Sequence, residues 1–438
     1  MFTDEWARPS LGLSLFYRRR ALLKGFAGPS HHLCAWIPMT NPASPRLPLR
    51  HFGLRPLSPR DDQDTHRAAT PLELLFDLVS VIAIASAAAG LHHAIAAGHV
   101  GEGVVSFLAS FFAIWWAWMN FTWYASAYDN DDSLHRLLTM VMMAGSLIMA
   151  AGIHRFFEST RIDMIVIGFV VMRIAMVLFW LRAAYHDSDR RKTAYRYAGG
   201  IALVQVFWVG LMLAQPMPPT FLFSLYALGA VLELSVPVYA ESHVTTPWHR
   251  HHLIERYGLL NLIVLGETLL AAAMALQHAD VGHLDLDLLS VAGSALVIVF
   301  SLWWAYFSKE DHIAQKRLSL ALVWGYGHLV IYMAGAAVGA GIAAMVDVLT
   351  GESGTSYRIA LYAISVPVSL YLMGLWFVRD RLVLSHAGRH ILLGVSVLIL
   401  VTTLFMPLWG IALTLAIGVG ARNIQACGAK TGGEGHAV

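Results

Sequence analysis

From residue 71 onward, long apolar runs alternate with short polar joints, and before that point the chain is polar, basic and broken by proline. A helix rises about 1.5 Å per residue, so crossing roughly 30 Å of hydrocarbon takes about 20 apolar residues. Runs of that kind predict twelve membrane-spanning helices, at about 71–93, 103–126, 134–154, 161–182, 195–215, 219–240, 255–277, 286–308, 319–346, 357–379, 388–405 and 407–424. The last two are short, and Pro407 alone separates them, so one long kinked helix is the alternative reading there. The predicted class is all-α, a polytopic integral membrane protein.

The joints bear on orientation. Those on one side hold Arg136, the group Arg190, Arg191, Lys192 and Arg196, then Arg250 and Arg256, then Lys309, Lys316 and Arg317, then Arg379, Arg381 and Arg389. Those on the other side hold Arg155, Arg161 and Arg358. Cytoplasmic joints carry the excess of Lys and Arg, so both termini are expected in the cytoplasm, with the chain in the cell inner membrane. Residues 1–66 read as a disordered basic cytoplasmic arm that touches anionic lipid heads, with Met39 an alternative start.

Several short stretches recur in order. Trp115-Trp116-Ala117-Trp118 returns as Trp303-Trp304-Ala305-Tyr306, and Met143-Ala144-Gly145 as Met333-Ala334-Gly335. Phe179-Trp180-Leu181-Arg182 resembles Trp376-Phe377-Val378-Arg379, and Glu73 opening the first helix matches Glu255 opening the seventh. The recurrence predicts two six-helix halves of like orientation, residues 67–245 and 246–425, followed by a short tail, 426–438. The paired tryptophans are expected at the interface, where aromatic rings fix depth.

Composition adds exclusions. The chain of 438 residues is 57% hydrophobic and 13% charged, with a mean hydropathy of +0.59. Soluble domains average about 25% charged residues. A net charge of +2 argues against a nucleic-acid partner, and Cys34 and Cys427 give neither metal-ligand spacing nor a disulfide framework. No phosphate loop, nucleophile elbow or haem motif occurs, so neither an enzyme nor a cofactor is expected.

Ionisable residues inside the hydrocarbon cost roughly 2.5–3.5 kcal/mol each on insertion scales, which makes them functional candidates. Arg173, Glu233 and Glu267 fall near the midplane of helices 4, 6 and 7. Helices 4 and 6 run the same way, so Arg173 and Glu233 are expected to meet, leaving Glu267 to take up a proton or cation. Glu73 and Asp77 share one helix face. The helix N-terminus suits Glu73. Asp77 is too deep for capping and calls for a buried partner or a water-filled vestibule. His249, His251 and His252 precede Glu255 and Arg256 on a cytoplasmic joint, read as a basic cluster facing lipid phosphate; no metal is expected. Gly335, Gly339 and Gly341 suit close helix packing or a hinge.

Glu73-Leu74-Leu75-Phe76-Asp77-Leu78-Val79 resembles the opening signature of the bacterial low temperature requirement protein A family. So do Trp115-Trp116 with Tyr124 and Asp129 after them, and His252-x-x-Glu255-Arg256-Tyr257-Gly258-Leu259 running on to Leu265-Gly266-Glu267. The resemblance covers about residues 66–425, with departures at Leu75, Ser80 and Asn261. It implies a membrane protein linked to growth at low temperature, adds weight to Glu73, Asp77, Glu255, Arg256 and Glu267, and supplies no substrate.

The expected function is a secondary transporter of a small solute or ion. In it Asp77 and Glu267 carry a proton or cation, and Arg173 and Glu233 gate or pair. A cation channel and a lipid-handling membrane factor or enzyme are the alternatives. The bilayer is the expected partner, and an oligomer is compatible with the sequence.

Overall fold

In the computed structural model of the chain, the described residues are 55–60, 69–128, 130–278, 286–308, 317–384 and 388–431, and within them the side chains of residues 267, 275, 276, 278 and 427–431 fall outside the description. The described elements are helices: α1 (Pro71–Ala96), α2 (Val100–Ala127), α3 (Ser133–Ser159), α4 (Asp163–His186), α5 (Arg191–Leu213), α6 (Pro219–Glu241), α7 (Arg250–His278), α8 (Leu286–Phe307), α9 (Leu318–Thr350), α10 (Tyr357–Val383), α11 (Ile391–Phe405) and α12 (Leu408–Thr431). Ten of them, α1 to α10, are long and apolar enough to cross a membrane. The last two are separate helices: the chain is extended at Met406, with φ −118° and ψ 151°. Helix α11 has 15 residues, about 22 Å of rise.

Local chemistry sets the helix ends. Thr70 and Glu73 form a reciprocal capping box at the start of α1, with Pro71 in the first turn. Asp132 caps α3 through the His135 N–H. Helix α9 ends at Gly351, whose φ of +78° a side chain would resist. Helix α10 widens into a π-turn over Trp376–Asp380 before it stops.

Glycines let particular helices close on each other. A Cβ on Gly168 would stand 2.5 Å from the Gly145 carbonyl oxygen, which holds α4 against α3. A Cβ on Gly341 would stand 2.4 Å from the Ala363 carbonyl oxygen, which does the same for α9 and α10. Gly335 likewise faces Val264 of α7, so these α9 glycines sit at close contacts. Helix α1 lies against α2, α3, α7 and α9.

Helix α2 departs from the sequence-based expectation. Its tryptophans were expected at the interface, yet Trp115, Trp116 and Trp118 are buried, and α2 runs through the interior. Their counterparts on α8, Trp303 and Trp304, are 46% and 51% exposed. The difference is physical: each of Trp116, Trp118 and Trp123 donates its indole N–H to a buried carboxylate.

Residues 55–60, expected within the disordered arm, lie along the α2–α3 joint. The Arg55 N–H donates to Asp132, Asn130 donates to the Arg55 and Pro56 carbonyls, and Leu57 is buried. Arg182 also binds Asp132 and the Arg55 carbonyl. Burial opposes the Asp132 charge, but the Arg182 hydrogen bond and the backbone N–H groups of His135 and Arg55 outweigh it and bring its pKa down to about 2. The rest of the arm lies outside the described residues.

Candidate functional site

Two i, i+4 pairs meet where α1 lies beside α7. Glu73 and Asp77 project from one face of α1, and His252 and Arg256 from one face of α7. His252 Nε2 stands 3.2 Å from both Glu73 carboxylate oxygens. The Arg256 guanidinium donates to Asp77 Oδ1 at 2.7 Å and lies 3.8 Å from Glu73 Oε2. Both contacts join residues 179 apart in sequence, so the two helices rise side by side in the same direction and in register. All four side chains are at most 1% exposed.

Helix α2 closes the site. Trp118 Nε1 donates to Asp77 Oδ1 at 2.7 Å, and Thr122 Oγ1 accepts from Arg256 at 3.3 Å. Tyr257, next to Arg256, packs edge-on against the Trp118 ring at 5.0 Å. Glu255 turns the other way and accepts from the Ala69 N–H, tying α7 to the segment that leads into α1. Among the described residues, Asp77 Oδ2 has no hydrogen-bond partner, although it is buried. The vestibule-or-partner alternative for Asp77 resolves here as a partnered carboxylate with one oxygen left over.

The histidine cluster differs from the sequence-based expectation. His249 and His252 are buried, not turned to lipid headgroups, and His251 is exposed. The α6–α7 joint folds inward because the His249 backbone is held by Ser126 of α2. Among the described residues, no group of three or more His, Cys, Asp or Glu converges on a metal position.

Arg173 and Glu233 do meet, at 3.1 Å, and both are 1% exposed. Glu233 Oε2 accepts from Arg173 and from Trp116, and its Oε1 accepts from Trp208 and Gln205. Four helices, α2, α4, α5 and α6, are thus pinned to one carboxylate. The Arg173 guanidinium also lies over the Phe169 ring at 4.4 Å. The Glu233 carboxylate is saturated, and among the described residues Arg173 Nε and Nη1 have no hydrogen-bond partner and no hydrogen bond joins this node to the α1–α7 seam. Glu267 belongs to α7, but its side chain falls outside the described residues.

Glu241 and Asp380 are among the buried acidic positions that escaped the sequence reading. Glu241, at the end of α6, accepts from Trp123, Tyr197 and Thr246. Asp380 joins α10 to α12, accepting from Arg379 and, through both oxygens, from Arg422. Each stands at a helix end, where a charge reads as an ordinary loop residue. The available signal was the partner: Arg422 lies inside an otherwise apolar run.

Residues 68–422 match the family model described as bacterial low temperature requirement A protein. A curated uncharacterized protein of Rhizobium meliloti is 26% identical over 292 residues, covering 62% of this chain and 68% of that one.

Proposed function

We propose that this chain, which belongs to the bacterial low temperature requirement A family, is a secondary transporter of the inner membrane whose α1–α7 seam couples solute movement to a proton or cation. The seam carries the reading. Two carboxylates face one guanidinium and one imidazole. Arg256 is permanently charged. With His252 charged the seam is neutral; with His252 neutral it holds one negative charge in excess. Excess charge in a closed interior is costly. A closed seam therefore demands one mobile positive charge, and a seam opened to water releases that demand. Separation of α1 from α7 exchanges the ion, and closure requires one back. Asp77 Oδ2 and Glu73 are where it rests, with His252 as the proton relay.

Arg173 and Glu233 serve as a fixed strut in this reading, because every carboxylate oxygen there already has two donors. Glu267 is kept as a second ion carrier further along α7. The twelve helices are read as twelve crossings in two halves, α1–α6 and α7–α12, with both termini cytoplasmic. The order of neighbours supports this: α1 lies on α2 and α3, α3 on α4, α4 on α5 and α5 on α6, and the same order holds from α7 to α12. The in-register meeting of α1 and α7 is what a repeat axis along the membrane normal produces.

The test uses proteoliposomes loaded with a pH-reporting dye and challenged with a panel of small solutes and monovalent cations. A solute-driven internal pH change is expected with the native protein and is lost in Asp77→Asn and in His252→Gln. If the doubly substituted protein moves the same solute with native pH dependence, the seam is not the coupling site. Stepwise currents in a planar bilayer would replace the carrier with a channel.

A further inference from the structure

A groove of about 930 Å³ opens between α5 and α6, away from the α1–α7 seam. Its composition is graded along the helices. At one end stand Arg191, Lys192 and Arg196 with His243, and the single carboxylate there is Asp189. Beyond Gly199 and Gly200 its walls become apolar, formed by Leu203, Val204, Leu232 and Val236. The step from Arg196 to Val204 is eight residues, about 12 Å along a helix. The glycines make the depth. A Cβ at Gly199 would meet nothing within 4 Å, so it faces open space, while Gly200 brings Val236 to 2.9 Å and forms the floor.

The cationic end is built, not incidental. Arg196 donates to the Tyr239 carbonyl and to Ser242, and its guanidinium lies over the Tyr239 ring at 4.8 Å. Arg191 is held through its Nε by the Ala184 carbonyl. Each of these arginines keeps further N–H groups for a ligand, since a guanidinium has five. Lys192 and His243 are exposed beside them. Tyr195 and Leu203 open outward at 54% and 73% exposure, so this is an outer face of the bundle.

We propose that this groove binds one anionic phospholipid of the cytoplasmic leaflet, its phosphate held by Arg191, Lys192 and Arg196 and an acyl chain lying along Leu203, Val204 and Val236. Charge complementarity selects the headgroup, and the order of the lining selects a lipid over a soluble anion. A phosphate in water has no use for apolar walls about two turns below the cations. The volume is within the range of about 300–1,000 Å³ usual for small-molecule sites. Basic pockets between membrane helices on the cytoplasmic side are the sites where anionic headgroups are recognised. The proposal needs the membrane placement of α5 and α6 with their basic end toward the cytoplasm, and stands whether or not the chain is a transporter.

The test is native mass spectrometry of the full chain, delipidated in detergent and titrated with phosphatidylglycerol, with phosphatidylcholine, or with inorganic phosphate. Each basic residue near an anionic lipid contributes about fivefold, so three partly offset by Asp189 give phosphatidylglycerol a preference of about twenty- to a hundredfold over phosphatidylcholine. The triple substitution Arg191→Gln, Lys192→Gln, Arg196→Gln is expected to erase that preference. Gly199→Leu, which fills the open groove and leaves the cations, is expected to lower retention of both lipids; it keeps the test alive if the triple variant fails to fold. Equal native retention of the two lipids, or no change in the folded variants, overturns the proposal. So does displacement of the lipid by inorganic phosphate at equal concentration. A native dimer that Gly199→Leu converts to a monomer would make the groove an interface between copies and overturn it as well.

Discussion

Arg173→Met tests whether the Glu233 node is a strut or a moving part. The substitution removes the guanidinium at 3.1 Å and leaves a carboxylate that is 1% exposed without its cation. Breaking a buried pair from one side costs about 3–5 kcal/mol. Loss of the contact with the Phe169 ring adds to this. The indoles of Trp116 and Trp208 and the Gln205 amide still donate to the carboxylate and offset part of it. The net expectation is a loss of about 3 kcal/mol. Adding Glu233→Gln removes the stranded charge. The introduced amide has one acceptor oxygen, so it keeps the Trp116 indole while its N–H₂ turns to Gln205 Oε1, which has no hydrogen-bond partner among the described residues, and Trp208 loses its acceptor. The double variant should therefore recover part of the loss, with a coupling of about 2 kcal/mol between the two sites. Equilibrium unfolding in mixed detergent micelles, followed by tryptophan fluorescence, measures both variants. A single-variant loss under about 1 kcal/mol, or a double variant as unstable as the sum of its parts, would refute the buried-pair reasoning. Native solute flux in the double variant would place Arg173 and Glu233 outside the ion path; its abolition at normal stability would make them part of the gate.

Gly168→Ala drives a methyl group into the Gly145 carbonyl and the Met149 backbone, and should cost about 1–3 kcal/mol by melting in detergent, whereas Gly210→Ala, with nothing within 4 Å, should be neutral or stabilising by up to about 1 kcal/mol. Asp132 has its pKa lowered from 3.8 to about 2, so the stability it contributes is present above pH 4 and is lost as pH falls toward 2. Melting curves across that window should show a decline that Asp132→Asn lacks, at the expense of a weaker α3 cap at neutral pH. Epitope tags on either end should resist protease added to intact spheroplasts and be cut after lysis; cleavage of one tag alone would overturn the even number of crossings.

Much of the scaffold was legible without coordinates because the bilayer sets a length requirement that twelve runs of the chain meet or approach, and because Pro407 marks a break where the backbone is extended. Glu73, Asp77, Arg173 and Glu233 were visible for the same reason: a charge inside an apolar run stands out against its neighbours. His252 and Arg256 were picked out as part of a basic cluster, and nothing in one dimension says that this pair opposes Glu73 and Asp77.

Which side of each helix faces protein was decided only by the tertiary structure. Lipid tails and a protein interior are equally apolar, so hydrophobic patterning does not tell them apart. Trp116 and Trp304 look alike in sequence, yet one donates to Glu233 in the interior and the other lies exposed on the surface of the bundle. Glu241 and Asp380 were hidden for the complementary reason, since a helix end that looks solvated in sequence is covered by α2 and α5 in one case and by Arg422 in the other. The amino acids specified that charges would be buried; the arrangement of α1, α2 and α7 specified which of them face one another.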